Sequence, residues 1–279
     1  MLTSLLSLDR PAAIAHRGGS ALRPENTLAA FDHARELGVA AIECDVQLSR
    51  DGELMVIHDA MLDRTTAATG PVAEKTAVEL ARVDAGFHFG QAAGYPYRGC
   101  GYGVPRLQDV LARYPGMPFI VEIKGESLEA AERAVSLVRT MDLADRVIIG
   151  GFSQRVLTAV RHSAPELVTS ASQEESRQAL VRSRFGLRPR AGGFQLFQMP
   201  YILRGKQILR KSFVRAARRG AVPVQAWTVD NPGDMRLLIE WGVTGIISDR
   251  PDVAMDVIKT LEGQREVTGQ EEKGTRTLR

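Results

Sequence analysis

Acidic side chains stand two positions apart in the segment from Ile42 to Asp59, among apolar residues typical of a buried strand. Because side chains alternate across a strand, Glu43 and Asp45 share one face and Cys44 points to the other. Two neighbouring carboxylates repel each other unless a cation lies between them or one of them stays protonated. The spacing therefore predicts a site for a hard divalent metal on this strand.

Other reactive side chains also follow predicted strands. His16 and Arg17 come directly after the first apolar run, and His58 ends the short run that follows the second strand. Glu122 and Lys124 close a third run, again two positions apart, so both face the same side. A third carboxylate, without a cysteine or histidine pair at ligand spacing, favours one Mg²⁺ or Ca²⁺ ion over zinc.

This set of residue types suits the cleavage of a phosphodiester. A hard cation together with Arg17 and Lys124 makes an electropositive pocket, in which phosphate oxygens accept charge-assisted hydrogen bonds. His16 and His58 supply two imidazoles, the side-chain type that titrates near neutral pH. Diester hydrolysis needs one base to activate the attacking oxygen and one acid to protonate the leaving oxygen. We therefore expect a substrate that carries phosphate.

The elements that must position these residues alternate between short apolar runs and amphipathic runs, which is typical of βα units and a parallel sheet. The sequence predicts eight principal strands, at 12–15, 40–46 with a hairpin arm at 53–57, 118–123, 146–150, 167–170, 193–197, 222–226 and 243–247. It predicts helices between them, at 26–37, 128–141, 154–162, 174–184, 212–219, 232–240 and 251–261. Eight such repeats in about 260 residues indicate an α/β fold of the (β/α)₈ TIM-barrel type, whose active sites lie at the carboxyl ends of the strands.

Two segments break this repeat. Residues 60–103 are too long for a βα loop and rich in glycine, alanine and aromatic side chains. We expect them to form a small inserted cap subdomain after the second strand. Residues 264–279 are polar and charged, which predicts a disordered tail. One barrel domain, including the insertion, is therefore expected over residues 1–263.

The composition is that of an ordinary globular protein of 279 residues, 44% hydrophobic and 25% charged. Two cysteines, Cys44 and Cys100, are too few for a disulfide framework, which favours a reduced, cytoplasmic setting. The first ten residues lack a basic region, and no later run approaches the length of a membrane span. We therefore expect neither a signal peptide nor a transmembrane helix, and the sequence gives no indication of the oligomeric state.

The net charge of +3 is unevenly distributed, because no Asp or Glu occurs between Ser176 and Val229. The basic residues of that stretch are Arg177, Arg182, Arg184, Arg188, Arg190, Arg204, Lys206, Arg210, Lys211, Arg215, Arg218 and Arg219. The favoured interpretation is that they form solvated faces of outer helices. The alternative is weak contact of the basic segment 204–219 with an anionic membrane surface. Because no nucleic-acid motif or aromatic interleaving is present, no nucleic-acid partner is expected.

Eight short motifs occur along the chain in a definite order. They are His16-Arg17-Gly18-Gly19, Pro24-Glu25-Asn26-Thr27, Glu43-Cys44-Asp45, Asp51-Gly52, His58-Asp59, Arg64-Thr65-Thr66, Glu122-Ile123-Lys124 and Trp227-Thr228-Val229. Together they resemble the glycerophosphodiester phosphodiesterase family over residues 12–252, and their number and spacing make the resemblance specific. For the site, the resemblance implies a metal held by Glu43, Asp45 and Glu122, acid and base roles for His16 and His58, and phosphate binding by Arg17 and Lys124.

The resemblance also implies a barrel with a small insertion and a metal-dependent phosphoric diester hydrolase. Its small-molecule substrates would be glycerophosphodiesters, cleaved to an alcohol and sn-glycerol 3-phosphate, with the glycerol 2-hydroxyl as a candidate internal nucleophile. Trp227, near a strand end, either stacks on the glycerol carbons or fills the barrel. The chain departs from the family pattern at Arg106, where threonine is frequent, and at Asp230, where asparagine is common. These departures bear on substrate preference.

Two other functions stay open at this point. A lysophospholipase D or sphingomyelinase D-like activity would keep the fold and metal but act on lipid phosphodiesters, which an apolar cap and a basic segment would favour. The second is a non-catalytic protein that binds a phosphorylated ligand or nucleic acid on a barrel scaffold. The complete set of metal ligands, acid and base argues against it.

Overall fold

The computed structural model describes residues 2–189 and 192–276, with side chains as far as Gln264. Within them the strands are β1 (Ala12–Ala15), β2 (Ala41–Leu48), β3 (Leu54–Val56), β4 (Phe119–Ile123), β5 (Val147–Gly150), β6 (Val168–Thr169), β7 (Phe197–Pro200), β8 (Ile202–Leu203), β9 (Lys206–Gln207), β10 (Val224–Trp227) and β11 (Gly245–Ser248). The α-helices are α1 (Leu28–Leu37), α2 (Ala77–Leu80), α3 (Leu107–Arg113), α4 (Leu128–Thr140), α5 (Gln154–Ser163), α6 (Gln173–Arg184), α7 (Lys211–Arg219), α8 (Pro232–Trp241) and α9 (Pro251–Arg276).

Eight of the described strands run parallel and follow one another in the order β6, β5, β4, β2, β1, β11, β10 and β7. The two ends of this order meet, because a parallel bridge joins Ser170 after β6 to Leu196 before β7. The N–H of Ala171 donates to the carbonyl of Leu196 at 2.9 Å across the same seam. Strands that are neighbours in sequence are therefore neighbours in a closed barrel, and the predicted (β/α)₈ TIM-barrel fold is confirmed.

The strand register brings the predicted reactive residues to one level. Asp45 on β2 pairs with Glu122 on β4. Ala15, which ends β1, pairs with Ile42 on one side and with Ser248 on the other. Since the next residue along each strand lies one step further toward the carboxyl end, His16, after Ala15, comes to lie between β2 and β11.

The N-terminal segment closes the other end of the barrel. Leu2 and Leu5 are buried with Ile14 and other inward-facing residues of the strands. The N–H of Leu2 donates to the carbonyl of Asp145, which precedes β5, at 3.1 Å. This segment therefore covers the amino ends of the strands, and the carboxyl ends stay available for a site.

The inserted residues between β3 and α3 have a small core of their own, in which Leu62, Val72 and Leu80 pack against Met55 of β3. Helix α2 begins at a capping box, in which the side chains of Thr76 and Glu79 each accept a hydrogen bond from the other's backbone N–H. The insertion follows β3, as expected, while the boundaries assigned to it and to the domain stay predictions.

The predicted elements differ from the structure in several places, and α2, β8 and β9 were not predicted. Strand β7 spans Phe197–Pro200, not 193–197, because the apolar residues Phe194 and Leu196 are buried in the segment that leads into the strand. Helix α3 was not predicted, since its buried residues Leu107, Val110 and Leu111 form a periodic pattern only two turns long.

Helix α9 runs from Pro251 to Arg276, so the backbone of the predicted tail is helical as far as that residue. The boundary at residue 263 stays a prediction, and residues 277–279 lie outside the described part of the chain. Across residues 2–189 and 192–276, no helix combines the length and the hydropathy that crossing a bilayer requires. Cys44 is buried and Cys100 exposed, both as free thiols; the cytoplasmic setting stays a prediction.

Candidate active site

Three carboxylates converge at the carboxyl end of the barrel. Glu43 and Asp45 on β2 and Glu122 on β4 each offer an oxygen, and these oxygens lie within 4.8 Å of one another. Burial first, and then repulsion by the charge of Asp45, raise the pKa of Glu43 to about 8. An all-oxygen donor set held under such repulsion fits a hard divalent cation, as the spacing of these residues predicted.

Lys124 neutralises part of this charge. Its Nζ lies 2.7 Å from Oδ1 of Asp45 and 2.5 Å from Oε1 of Glu122. Burial alone would lower the pKa of Lys124, but Asp45 and Glu122 raise it, so the side chain is a cation at the centre of the site. On the far side of Asp45, Nδ2 of Asn26 donates to Oδ2 at 2.9 Å. Asp45 is thus held at both oxygens.

Arg17 is presented by a tight turn after β1. The 3₁₀ turn His16–Gly18 places Arg17 in the left-handed region, with φ 52°. This conformation directs the backbone N–H of Arg17 to Oε2 of Glu43 at 2.9 Å, while Nε lies 3.2 Å from Oδ2 of Asp45. Glycine is required next, because a Cβ on Gly18 would lie 2.6 Å from Cβ of Ala30. The HRGG motif thus fixes both the backbone and the guanidinium of Arg17.

His16 is oriented from β11. Its Nδ1 lies 2.6 Å from Oδ1 of Asp249, and its Nε2 lies 3.9 Å from Oε2 of Glu43. Burial lowers the pKa of His16, but the hydrogen bond to Asp249 and the charge of Glu43 outweigh it and raise that pKa. The N–H of Asp249 and the hydroxyl of Ser248 both donate to Oδ1 of Asp230, each at 2.8 Å. Asp230, a departure from the family pattern, therefore supports the partner of His16.

His58 has a similar partner on the insertion side. Its Nδ1 lies 2.5 Å from Oδ1 of Asp59, whose Oδ2 accepts from Nε of Arg64 at 2.5 Å. Burial raises the pKa of Asp59, but the hydrogen bonds from Arg64 and His58 outweigh it and lower that pKa to about 2. Asp59 is therefore a carboxylate at neutral pH, and His58 donates its Nδ1 proton to it. Because both rings are bound at Nδ1 by an aspartate, Nε2 of each ring is left for other chemistry.

Arg64 also joins the insertion to the barrel. Its Nη1 and Nη2 donate to the two oxygens of Glu25 at 2.7 and 2.8 Å, and Nη1 of Arg17 donates to Oε1 of Glu25 at 2.8 Å. Burial raises the pKa of Glu25, but these two guanidinium groups lower it overall. One carboxylate thus holds Arg17 and Arg64 together, so the orientations of Arg17 and of Asp59 are linked.

An aromatic wall adjoins Lys124. The rings of Phe152 and Trp227 meet edge to face, with centroids 5.8 Å apart. Nζ of Lys124 lies 5.9 Å from the centroid of the Phe152 ring, which is 46% exposed. Trp227 is partly buried against the apolar interior of the barrel. The wall therefore offers an apolar surface beside the charged groups.

The structure brings every predicted site residue to this end of the barrel: His16, Arg17, Glu43, Asp45, His58, Glu122, Lys124 and Trp227. Their chemical roles stay predictions. Neighbouring residues have structural roles. Thr27 caps α1, since its side chain accepts from the N–H of Ala30, whereas Asn26 donates to Asp45. Cys44 lies in the core, away from the carboxylates.

Several contributors to the site were not predicted, among them Asp249, Glu25, Arg64 and Phe152. Asp249 follows β11, so the strand-end rule that singled out His16 applied to it as well. Glu25 and Arg64 belong to two of the eight motifs, but their residue types and spacing alone indicate no role for them. Phe152 lies in the loop after β5, and nothing in the sequence distinguishes it from a core phenylalanine. Arg106, the other departure from the family pattern, precedes α3, and its backbone forms an isolated antiparallel β-bridge with Met55 on β3.

Known proteins with this architecture include phosphodiesterases. A model of the glycerophosphoryl diester phosphodiesterase family matches residues 16–253. A glycerophosphodiester phosphodiesterase from Caldanaerobacter subterraneus subsp. tengcongensis is 33% identical over 256 residues, which cover 88% of this chain and 97% of that relative. The crystal structure of a glycerophosphodiester phosphodiesterase from Agrobacterium tumefaciens is 28% identical with a TM-score of 0.71, covering 88% of this chain and 98% of that one.

A phosphodiesterase from Oleispira antarctica, solved in complex with the product sn-glycerol-3-phosphate, is 25% identical with a TM-score of 0.72. The match covers 90% of this chain and 97% of that one. The family model covers residues 16–253, which include the carboxylates and both histidines, and the Caldanaerobacter relative matches over 88% of the chain. The protein therefore belongs to the glycerophosphoryl diester phosphodiesterase family, whose members are phosphoric diester hydrolases.

Proposed function

We propose that this enzyme hydrolyses glycerophosphodiesters to an alcohol and sn-glycerol 3-phosphate. The observation that carries the proposal is the pair His16 and His58, each bound at Nδ1 by an aspartate, beside three convergent carboxylates. The Oleispira antarctica phosphodiesterase supports the product assignment, because its complex contains sn-glycerol-3-phosphate. The residue types also agree, since a diester needs a cationic pocket and both an acid and a base.

In this proposal Glu43, Asp45 and Glu122 hold one divalent cation, Mg²⁺ or Ca²⁺. When bound, the cation would polarise the phosphoryl group as a Lewis acid. Arg17 and Lys124 bind the phosphate oxygens with charge-assisted hydrogen bonds. The Nζ of Lys124 and the Nε of Arg17 approach different oxygens of Asp45, so a phosphate beside this carboxylate could accept from both cations.

The two histidines act as base and acid. An ionised aspartate can only accept a hydrogen bond, so it fixes the proton on Nδ1 and leaves Nε2 free to take or give a proton. One imidazole removes the proton of the attacking oxygen, and the other protonates the leaving alcohol. If the glycerol 2-hydroxyl attacks in place of water, a water molecule then opens the resulting cyclic phosphate to give glycerol 3-phosphate. Nε2 of His16 lies 3.9 Å from Oε2 of Glu43. Burial raises the pKa of Asp45, but the charges of Lys124, Arg17 and His58 outweigh it and lower that pKa.

The aromatic wall of Phe152 and Trp227 accounts for selection of the glycerol moiety. Carbon-bound hydrogens of glycerol would pack against Trp227, whose ring is partly buried, while its hydroxyls face the polar groups. Of the two alternatives for Trp227, its contact with the exposed ring of Phe152 favours the substrate-binding one.

A coupled dehydrogenase assay that measures release of glycerol 3-phosphate tests the proposal. The substrates are glycerophosphocholine, glycerophosphoethanolamine, glycerophosphoglycerol and glycerophosphoinositol. Lysophosphatidylcholine is tested as well, and its turnover is measured by the release of choline. We expect the enzyme to turn over the soluble diesters. EDTA should abolish this activity, and Mg²⁺, Ca²⁺ or Mn²⁺ should restore it. His16→Ala and Glu43→Ala should remove it, while His162→Ala, an exposed histidine on α5, should not.

Other outcomes select other functions. Activity on the lysolipid alone would assign a lysophospholipase D-like activity instead. If none of the substrates is turned over with any of the cations, the proposed function is refuted, and binding of a phosphorylated ligand is the function that remains.

A further inference from the structure

A short β-ribbon stands at the rim of the barrel beside the candidate active site. Strands β8 and β9 pair antiparallel, with Ile202 opposite Gln207 and Leu203 opposite Lys206, in a sheet separate from the barrel. The ribbon follows the carboxyl end of β7. It therefore projects from the same end of the barrel as the three carboxylates.

The base of the ribbon is fixed next to the aromatic wall. The N–H of Tyr201 donates to the carbonyl of Trp227 at 2.9 Å, and the carbonyl of Tyr201 accepts from the N–H of Ile208 at 2.9 Å. Tyr201 itself is buried and its hydroxyl lies 3.3 Å from Asp234 on α8. The ribbon thus emerges from a rigid anchor close to Trp227.

Aliphatic side chains are exposed on both faces of the ribbon. Ile202 is 51% exposed and Leu203 is 45% exposed. Because consecutive residues of a strand point to opposite faces, each face carries one of them. A flat protein partner could cover only one face, whereas the interfacial region of a bilayer can surround both faces of an inserted tip.

Basic residues surround this aliphatic pair. Arg204, Lys206, Arg210 and Lys211 are all exposed, and none of them forms an ion pair with a carboxylate in the part of the chain that the structure describes. The chain between Ser176 and Val229 contributes no acidic residue that could neutralise them. This charge is complementary to an anionic surface.

The basic segment does not act as one surface. The last basic residues of helix α7 lie away from the rim. Nη2 of Arg218, for example, lies 2.9 Å from Oδ1 of Asp9 in the N-terminal segment. That segment covers the amino ends of the strands. The cationic groups that accompany Ile202 and Leu203 are therefore those from Arg204 to Lys211.

We propose that the ribbon Ile202–Gln207, with Arg210 and Lys211, anchors the enzyme to anionic membrane surfaces. The two aliphatic side chains enter the interfacial region while the basic side chains pair with anionic head groups at the same depth. The mouth of the barrel then faces the membrane. This inference goes beyond the proposed function and holds whichever diester is cleaved.

Co-sedimentation of the full chain with lipid vesicles tests it. One set of vesicles contains phosphatidylcholine alone, and the other contains phosphatidylcholine mixed with phosphatidylglycerol. We expect binding only to the mixed vesicles. Arg204→Glu with Lys206→Glu should weaken that binding by about 30-fold or more. Ile202→Ser with Leu203→Ser should weaken it even at low salt, where charge attraction is strongest.

A matched control is Arg184→Glu with Arg219→Glu, which reverses the same number of charges on exposed residues in the last turns of α6 and α7. This variant should bind the mixed vesicles like the wild type. A second readout is tryptophan fluorescence of the Leu203→Trp variant. Its emission should shift to shorter wavelength when the protein binds vesicles. Far-ultraviolet circular dichroism establishes that each variant is folded before binding is compared.

Four results would overturn the proposal. The first is that the protein does not bind mixed vesicles at low salt, and the second is that the control pair weakens vesicle binding as much as Arg204→Glu with Lys206→Glu does. The third is that a DNA oligonucleotide binds the protein and displaces the vesicles. The fourth is that the protein self-associates and that Ile202→Ser with Leu203→Ser abolishes this association. Because vesicle binding needs no turnover, failure here is independent of the diester assay.

Discussion

The Oδ1 atom of Asp249 lies 2.6 Å from Nδ1 of His16, although 233 positions separate the two residues. A carboxylate there holds the proton on Nδ1, whereas an amide can donate to Nδ1 and shift the proton to Nε2. We expect Asp249→Asn to lower kcat by about 100-fold or more, with a smaller effect on KM. Steady-state kinetics over a range of pH checks this.

Asp252→Asn is the control, because Asp252 pairs with Arg250 near the same strand end at 2.7 Å and does not touch His16. Equal kinetic constants for the two variants would contradict a positioning role for Asp249.

Glu43 should make metal binding depend on pH. Burial, and then the charge of Asp45, raise its pKa from 4.5 to about 8. Because the folded-state pKa is the higher one, the metal-free protein has this contribution to its stability in full below pH 4.5 and loses it as pH rises through about 8. Mg²⁺ or Ca²⁺ binds the ionised form, so either ion should raise Tm more at alkaline than at acidic pH. Scanning calorimetry with EDTA or added metal measures both effects.

Glu43→Gln should abolish the metal-dependent rise in Tm and make the metal-free protein more stable than the wild type at alkaline pH. Glu126→Gln, which changes an exposed residue two positions after Lys124, should leave both quantities unchanged. The same metal-dependent rise in Glu43→Gln as in the wild type would rule out Glu43 as a ligand.

Arg64 links the insertion to the barrel through Asp59 and Glu25. Its removal leaves Asp59 less firmly held and leaves Arg17 as the remaining cation on Glu25, so we expect Arg64→Gln to lower kcat/KM by at least about tenfold. In a double-mutant cycle, Arg64→Gln and Glu25→Gln should be less than additive, because both break the same contact. Arg50→Gln is the control, since Arg50 is an exposed residue that approaches Glu79 at 3.6 Å. Full additivity would show that the contact does not contribute.

Phe152 should act on substrate binding and little on stability, because its ring is 46% exposed. We expect Phe152→Ala to raise KM for glycerophosphodiesters by about tenfold through loss of apolar contact beside Trp227, with Tm nearly unchanged. Phe185→Ala, at a phenylalanine that is 77% exposed, should alter neither quantity. An unchanged KM in Phe152→Ala would exclude the aromatic wall from the substrate site.

Gly103 should be essential for packing of the insertion. A Cβ at this position would lie 1.9 Å from the carbonyl oxygen of Ala81, so Gly103→Ala forces the backbone apart. We expect a loss of about 1–3 kcal/mol in the free energy of unfolding, measured by urea denaturation. Gly263→Ala meets nothing within 4 Å and should be neutral or slightly stabilising in helix α9. Similar stability of the two variants would show that the close approach is relaxed in solution.

The sequence by itself determined the barrel and the charged residues at its mouth. Glu43 and Asp45, and Glu122 with Lys124, were found from their two-residue spacing at the ends of apolar runs. That inference is local, because alternation along a strand fixes which side chains share a face. The repeat of strand and helix then fixed the fold, and the fold brings strand ends together.

Only the tertiary structure decided which partner each reactive group has. Asp249 meets His16 because β11 closes the barrel beside β1, and Glu25 meets Arg64 because the path of the insertion returns to the loop before α1. The start of β7 and the exposure of Ile202 and Leu203 were likewise settled by packing. The physical reason is that such contacts depend on the distances between elements that are remote in sequence, which side-chain periodicity within one element does not encode.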